Sequence, residues 1–177
     1  MTETARFSMG FYFQTLKRML GAPGEFFGQF PEKAGFQQPF GFLILSSMFF
    51  TGMSLTCFRD SHVVMAAILL ANAVAMTFIA AGTGFFVMTM TIGKRVTFTK
   101  FFAIYAFSAG VTMLASWIPL FVWVTEPWKW LLIAMGMVKG CGLKYWQAIL
   151  IIGVSIFVVV LFFWSLAPMI SYFKGSA

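Results

Sequence analysis

The sequence predicts an all-α fold, a polytopic membrane helix bundle of five transmembrane helices with interfacial amphipathic helices at its N-terminus. Two observations predict it. Of the 177 residues, 60% are hydrophobic and only 10% charged, against roughly 45–50% and 25% in soluble domains. No Asp, Glu, Lys or Arg lies between Lys33 and Arg59, Asp60 and Lys94, Lys100 and Glu126, or Lys144 and Lys174. Each of these gaps exceeds the roughly 20 residues that a bilayer helix needs. The chain therefore divides into a cytoplasmic or interfacial segment, residues 1–38, and a transmembrane domain, residues 39–177.

Residues 7–21, FSMGFYFQTLKRMLG, place Phe13, Leu16 and Leu20 on one helical face with Lys17 and Arg18 off it. That pattern suits a helix lying in the cytoplasmic headgroup layer. Pro23 can start a second short helix, with Glu25 in its first turn where the helix dipole favours an acid. The stretch EFFGQF would press Phe26, Phe27 and Phe30 into lipid or against the bundle, and its density of Phe argues against a disordered lead-in.

Four spans follow from the charge gaps, at about 40–57, 63–92, 101–124 and 148–172. The run over 63–92 would reach about 45 Å as a straight helix, against a hydrocarbon core of roughly 30 Å. It must tilt, bend or project into water. Gly82 and Gly84 are the cheapest places for a bend, and a close contact with a neighbouring helix accounts for them equally well. The piece at 128–143 is harder, because few residues separate Lys129 from Lys139; it is either a short span or a re-entrant half-helix. With five spans and a cytoplasmic N-terminus, Arg6, Lys17, Arg18, Lys33, Lys94, Arg95, Lys100, Lys139 and Lys144 lie inside, and Arg59, Lys129 and Lys174 outside. The re-entrant alternative moves Lys139 and Lys144 out and Lys174 in, which weakens the inside bias, so positive-inside counting favours five spans. Trp117, Trp123, Trp128 and Trp130 suit an outer interfacial belt.

Catalytic chemistry is hard to find. Cys57 and Cys141 fall on opposite faces in this topology, too far apart to bond. His62 stands in the turn RDSH without a metal-ligand cluster around it, and GTGFF lacks the Lys and Ser/Thr of a phosphate loop. No metal, cofactor or enzymatic activity is expected. Coupled transport is also disfavoured, because ionisable residues fall in loops or at span ends. The possible exception is Lys139, more simply read as a snorkelling anchor. Hydroxyl and small residues recur at helical spacing inside the membrane: Ser47, Thr51 and Ser54 on the first span, Asn72, Ala75, Gly82 and Thr83 on the second, Ser108, Thr112 and Ser116 on the third. Such stripes usually mark helix contacts. Asn72, Thr83, Ser108 and Thr112 are the candidate intramembrane polar, packing or lipid contacts, and Asn72 leads because its amide must find a partner in lipid. The net charge of +7 favours anionic lipid on the cytoplasmic side, with Lys94, Arg95 and Lys100 as the headgroup patch. Nucleic acid is a poor partner for basic residues scattered over membrane-proximal loops.

RMLGAPGEFFGQF, followed by a polar linker and QPFGFLIL, resembles the opening of the Yip family, five-span membrane proteins associated with Ypt/Rab GTPases. The likeness continues at GKRVTFTKFFAIYAFSAGVTMLASWIP and at MGMVKGCGLKYWQAILI. The Asp-Leu-Tyr-Gly-Pro motif of the eukaryotic members is absent, as is a proline often seen early in the third span. The resemblance is thus to the short, bacterial-type members, and GTPase binding does not carry over. It implies a five-span, N-in arrangement, with the C-terminus outside, in a bacterial cytoplasmic membrane. The expected role is a non-catalytic scaffold or accessory subunit that binds other membrane proteins, or itself, and organises the bilayer. The alternative is a lipid or small-solute permease.

Overall fold

A computed structural model describes residues 7–29, 35–56, 63–93 and 96–175, leaving aside the side chains of Pro119 and residues 162–175. The described residues are all-helical: α1 (Met9–Gly21), α2 (Pro23–Gly28), α3 (Gln37–Thr56), α4 (Val63–Ile92), α5 (Phe98–Ser116), α6 (Val122–Cys141) and α7 (Tyr145–Gly175), with a 3-10 turn over Pro119–Phe121 before α6. Among the described residues three helices, α3, α4 and α5, are long and apolar enough to cross a membrane, and Tyr145–Leu161 of α7 is a shorter apolar stretch.

Helix α5 is the axis of the bundle, buried without interruption from Phe101 to Thr112. A helix apolar on every side has no solvent face to offer and must be surrounded. Helices α3, α4 and α6 pack around it, and α7 packs on α4 and α6. Close approach depends on glycine. A Cβ on Gly110 would lie 2.6 Å from the Phe42 ring, and Gly136 of α6 is seated directly on the side chain of Ile104. Aromatic rings fill the contacts: Phe42 lies 5.2 Å from Phe107, tilted against it, while Phe78 stacks on Phe102 at 4.4 Å and Phe102 on Phe36 at 4.9 Å.

The N-terminal helices are docked on this bundle. Ser8 caps α1 by accepting the Phe11 N–H at 3.2 Å. Its apolar surface then divides between two tasks. Tyr12, Thr15 and Met19 are buried, with the Tyr12 ring 4.8 Å from Phe42 and its hydroxyl 3.2 Å from Ser46 Oγ. Met9, Phe13 and Leu20 share a second stripe and stay about 60% exposed. Helix α2 starts at Pro23 and carries Glu25 in its first turn.

Two expected boundaries move. The span drawn over 101–124 ends at Ser116, because Ile118 before Pro119 is held extended (φ −84°, ψ 118°) and the proline ring cannot continue α5. The piece drawn over 128–143 belongs to one continuous 20-residue helix that starts at Val122, about 30 Å long. It ends where Gly142 adopts φ 64° and the Leu143 N–H donates to the Met137 carbonyl at 3.3 Å, a left-handed cap that glycine allows without strain. Helix α7 follows, with the Gln147 side chain accepting the Lys144 N–H at 3.0 Å in the manner of a capping box.

Candidate functional site

Because α7 rests on α4 and α6, a space remains between it and α5. It forms a cavity of about 430 Å³, within the 300–1,000 Å³ usual for ligand pockets. Each helix lines it with one helical stripe: Asn72, Ala73, Met76, Thr77 and Ala80 of α4; Tyr105, Ala109, Thr112, Met113 and Ser116 of α5; Glu126, Lys129, Trp130 and Ile133 of α6; Ser155, Ile156, Val159 and Val160 of α7. Phe50 of α3 completes the wall. From Tyr105 to Ser116 the lining runs about 16 Å along α5, at 1.5 Å per residue.

Most of the wall is apolar, and most of its hydroxyls are occupied within their own helices. Thr77 donates to the Ala73 carbonyl at 3.0 Å, Thr112 to Ala109 at 3.0 Å, and Ser155 to Ile151 at 2.6 Å. This back-bonding satisfies the O–H inside a bilayer and leaves only weakly exposed acceptor oxygens. Tyr105 differs. Its hydroxyl is buried without a hydrogen-bond partner and sits where a Cβ on Gly84 would be, at 2.5 Å.

Polarity gathers at one end. Glu126 and Lys129 pair at 2.6 Å, one turn apart on α6, and the ammonium lies 5.4 Å from the centre of the Trp130 ring. Ser116 donates to Thr125 Oγ1 at 2.9 Å, tying α5 to α6 beside the pair. Asn72 reaches the same level from the opposite wall. Gly84 packs against Tyr105 and Gly136 against Ile104. Counting along these antiparallel neighbours brings Asn72 level with about Trp117 and Glu126 level with about Leu114. Asn72 is exposed, and its amide has no hydrogen-bond partner among the described residues.

Of the four intramembrane candidates, the fold brings Asn72 and Thr112 together on this cavity. Thr83 is half-buried away from it, and Ser108 is fully buried with its hydroxyl unpartnered. Phe27 is 1% exposed and packed where α2 meets α6, while Phe26 is half-buried and edge-on to Phe107 at 5.3 Å. Lys100 is half-buried in the first turn of α5, and Lys139 is exposed in the last turn of α6. Phe30, Lys94, Arg95, Cys57 and His62 lie outside the described residues. Among the described residues no three His, Cys, Asp or Glu side chains gather as for a metal.

Sequence reasoning singled out neither Tyr105, Glu126 nor Ser155 as a site residue, and read Lys129 and Trp130 only as an outer-face charge and part of the interfacial belt. The spacing of Glu126 and Lys129, three apart, is a helical ion-pair signature. It went unused because the third span was drawn through Val124 and the next piece from 128, which put Glu126 in the turn and Lys129 in the following helix.

The family model described as the Yip1 domain matches residues 17–167, a stretch that includes every residue lining the cavity. No characterised protein and no solved structure matches the chain.

Proposed function

The chain belongs to the Yip1 family, and from that premise we propose that it is a non-catalytic integral membrane protein that holds a lipid between α4, α5, α6 and α7. The observation that carries this reading is the cavity itself. It is long, mainly apolar, lined by α4 and α5, which are apolar enough to cross a bilayer, and polar at one end. A small polar solute would find few free donors along its wall, whereas an acyl chain needs none. In the topology that accompanies this proposal, five crossings with the N-terminus in the cytoplasm of a bacterial cell, the polar end faces the outer leaflet. Lys100, with Lys94 and Arg95, then meets anionic headgroups on the cytoplasmic side.

Mild extraction from the native membrane followed by native mass analysis tests the proposal. A lipid should travel with the chain, and Ala109→Phe, which places a ring in the cavity, should release it while leaving the protein folded. Extraction of a lipid-free chain, or lipid retained undiminished by Ala109→Phe, would refute the cavity as its seat.

A scaffold or accessory role is favoured by a different observation. Only 6% of the most apolar window of α4 is buried, and Val63, Val64, Met65 and Ile68 are open along its first turns. A stoichiometric membrane-protein partner in the same extraction would support that role, and crosslinks from these positions would place the partner on α4.

A further inference from the structure

The polar end of the cavity carries both signs of charge side by side, and this restricts what can sit there. Lys129 has three ammonium hydrogens and Glu126 two carboxylate oxygens. Their mutual contact at 2.6 Å uses one hydrogen and Oε1. Two ammonium hydrogens and Oε2 are left without partners among the described residues. The pair is incompletely covered, Lys129 being 23% and Glu126 48% exposed, and both side chains line the cavity. At the edge of a low-dielectric wall such unused capacity attracts strongly. An anionic headgroup answers the ammonium alone and sets its own charge against the carboxylate. A headgroup with an adjoining phosphate and primary ammonium answers both, by charge-assisted hydrogen bonds to each. The unpartnered Asn72 amide, level with the pair across the cavity, offers a further donor to phosphate or ester oxygen.

We infer that the cavity selects a zwitterionic aminophospholipid. The acyl chain runs toward Tyr105, the phosphate meets Lys129 and Asn72, and the primary ammonium meets Glu126. This rests on the lipid reading of the cavity and adds the headgroup class to it. The role of Trp130 is to hold Lys129 in place through its ring face.

The full chain is reconstituted in nanodiscs holding equal parts of phosphatidylethanolamine and phosphatidylglycerol, then released and weighed by native mass spectrometry. Phosphatidylethanolamine should be enriched by about tenfold, the scale of one charge-assisted hydrogen bond. Glu126→Gln should erase most of that enrichment while lipid is still retained. Replacing phosphatidylethanolamine with its N-acetyl derivative, which removes the ammonium and needs no variant, should erase it equally in the unaltered protein. Equal retention of the two lipids, or enrichment that survives N-acetylation, overturns the headgroup assignment and leaves the cavity reading standing. Retention of no lipid at all overturns both.

Discussion

Two sides of the same helix are built on opposite plans. Toward α3 and the N-terminal helices, α5 presents Phe107 and Gly110. The ring is met by Phe11, Phe26 and Phe42, with centroids 5.2 to 6.4 Å away, and the glycine receives the edge of Phe42. Toward α7, α5 presents Ala109, Thr112 and Ser116, and the facing wall brings Ser155 and valines but no ring to fill the gap. Small residues therefore do opposite things on the two sides. Where a ring from the facing helix seats on them they let helices close, and where the facing α7 wall offers only Ser155 and aliphatic side chains they leave a cavity. Without a strong hydrophobic drive between helices in lipid, closure depends on such fitted contacts.

Substitutions that act on one side only would break or sharpen this contrast. Phe107→Ala removes the ring at the centre of the closed side and should have the largest effect, a loss of about 3–5 kcal/mol of thermal stability in detergent. It should leave bound lipid per folded chain unchanged. Gly110→Val comes next. Its Cβ would press on Phe42, which is fully buried and cannot swing aside, so overpacking of about 1–3 kcal/mol is expected, read as a lower melting temperature. Ser116→Ala, at the open side's polar end, loses the hydrogen bond to Thr125 and should lower stability by only about 0.6 kcal/mol. A much larger loss would mean that the cavity end is as tightly fitted as the closed side. The smallest change should come from Gly82→Ala on α4, where an added Cβ meets nothing within 4 Å. It should be neutral or stabilising by up to about 1 kcal/mol through helix propensity, measured against Gly84→Ala, which collides with the Tyr105 hydroxyl.

That last pair shows how far periodicity carries. Gly82 and Gly84 carry the same small side and stand two apart, yet α4 continues through both, and only Gly84 faces a neighbour. The buried side of α4 runs through Ala73, Thr77, Ala81, Gly84 and Met88, turned away from the stripe of Asn72, Ala75, Gly82 and Thr83 that hydroxyls and small residues suggest. In a helix apolar on every side, hydropathy cannot say which side is inner, because lipid and protein interior are equally acceptable to Leu, Val or Ala. On α3 the hydroxyls did mark the contact: Ser47, Thr51 and Ser54 are all buried, since several polar groups on one stripe give that side a reason to turn from lipid.

The N-terminal segment was legible for a different reason. Pro23, Glu25 and the paired Phe rings are local signals, and α2 forms where they place it. Their destination was not local, because a Phe ring is stable in lipid or in a protein groove. Phe27 is buried where α2 packs on α6. Likewise α1 was readable as amphipathic, whereas the division of its apolar side between Tyr12, Thr15 and Met19 inward and Met9, Phe13 and Leu20 outward depends on where the bundle stands.

By itself the sequence determined the solvent, the helices and most of their ends. Long charge-free runs leave the backbone no stable form in lipid other than helix, and Pro23 and Gly142 begin and end helices through their own covalent geometry. Only the tertiary structure decided which stripes meet, that the chain turns at Pro119 so that Glu126 and Lys129 ride on α6, and that α7 stands off α5. Those are outcomes of shape, settled by which ring finds which glycine across residues distant in the chain, and no local pattern encodes them.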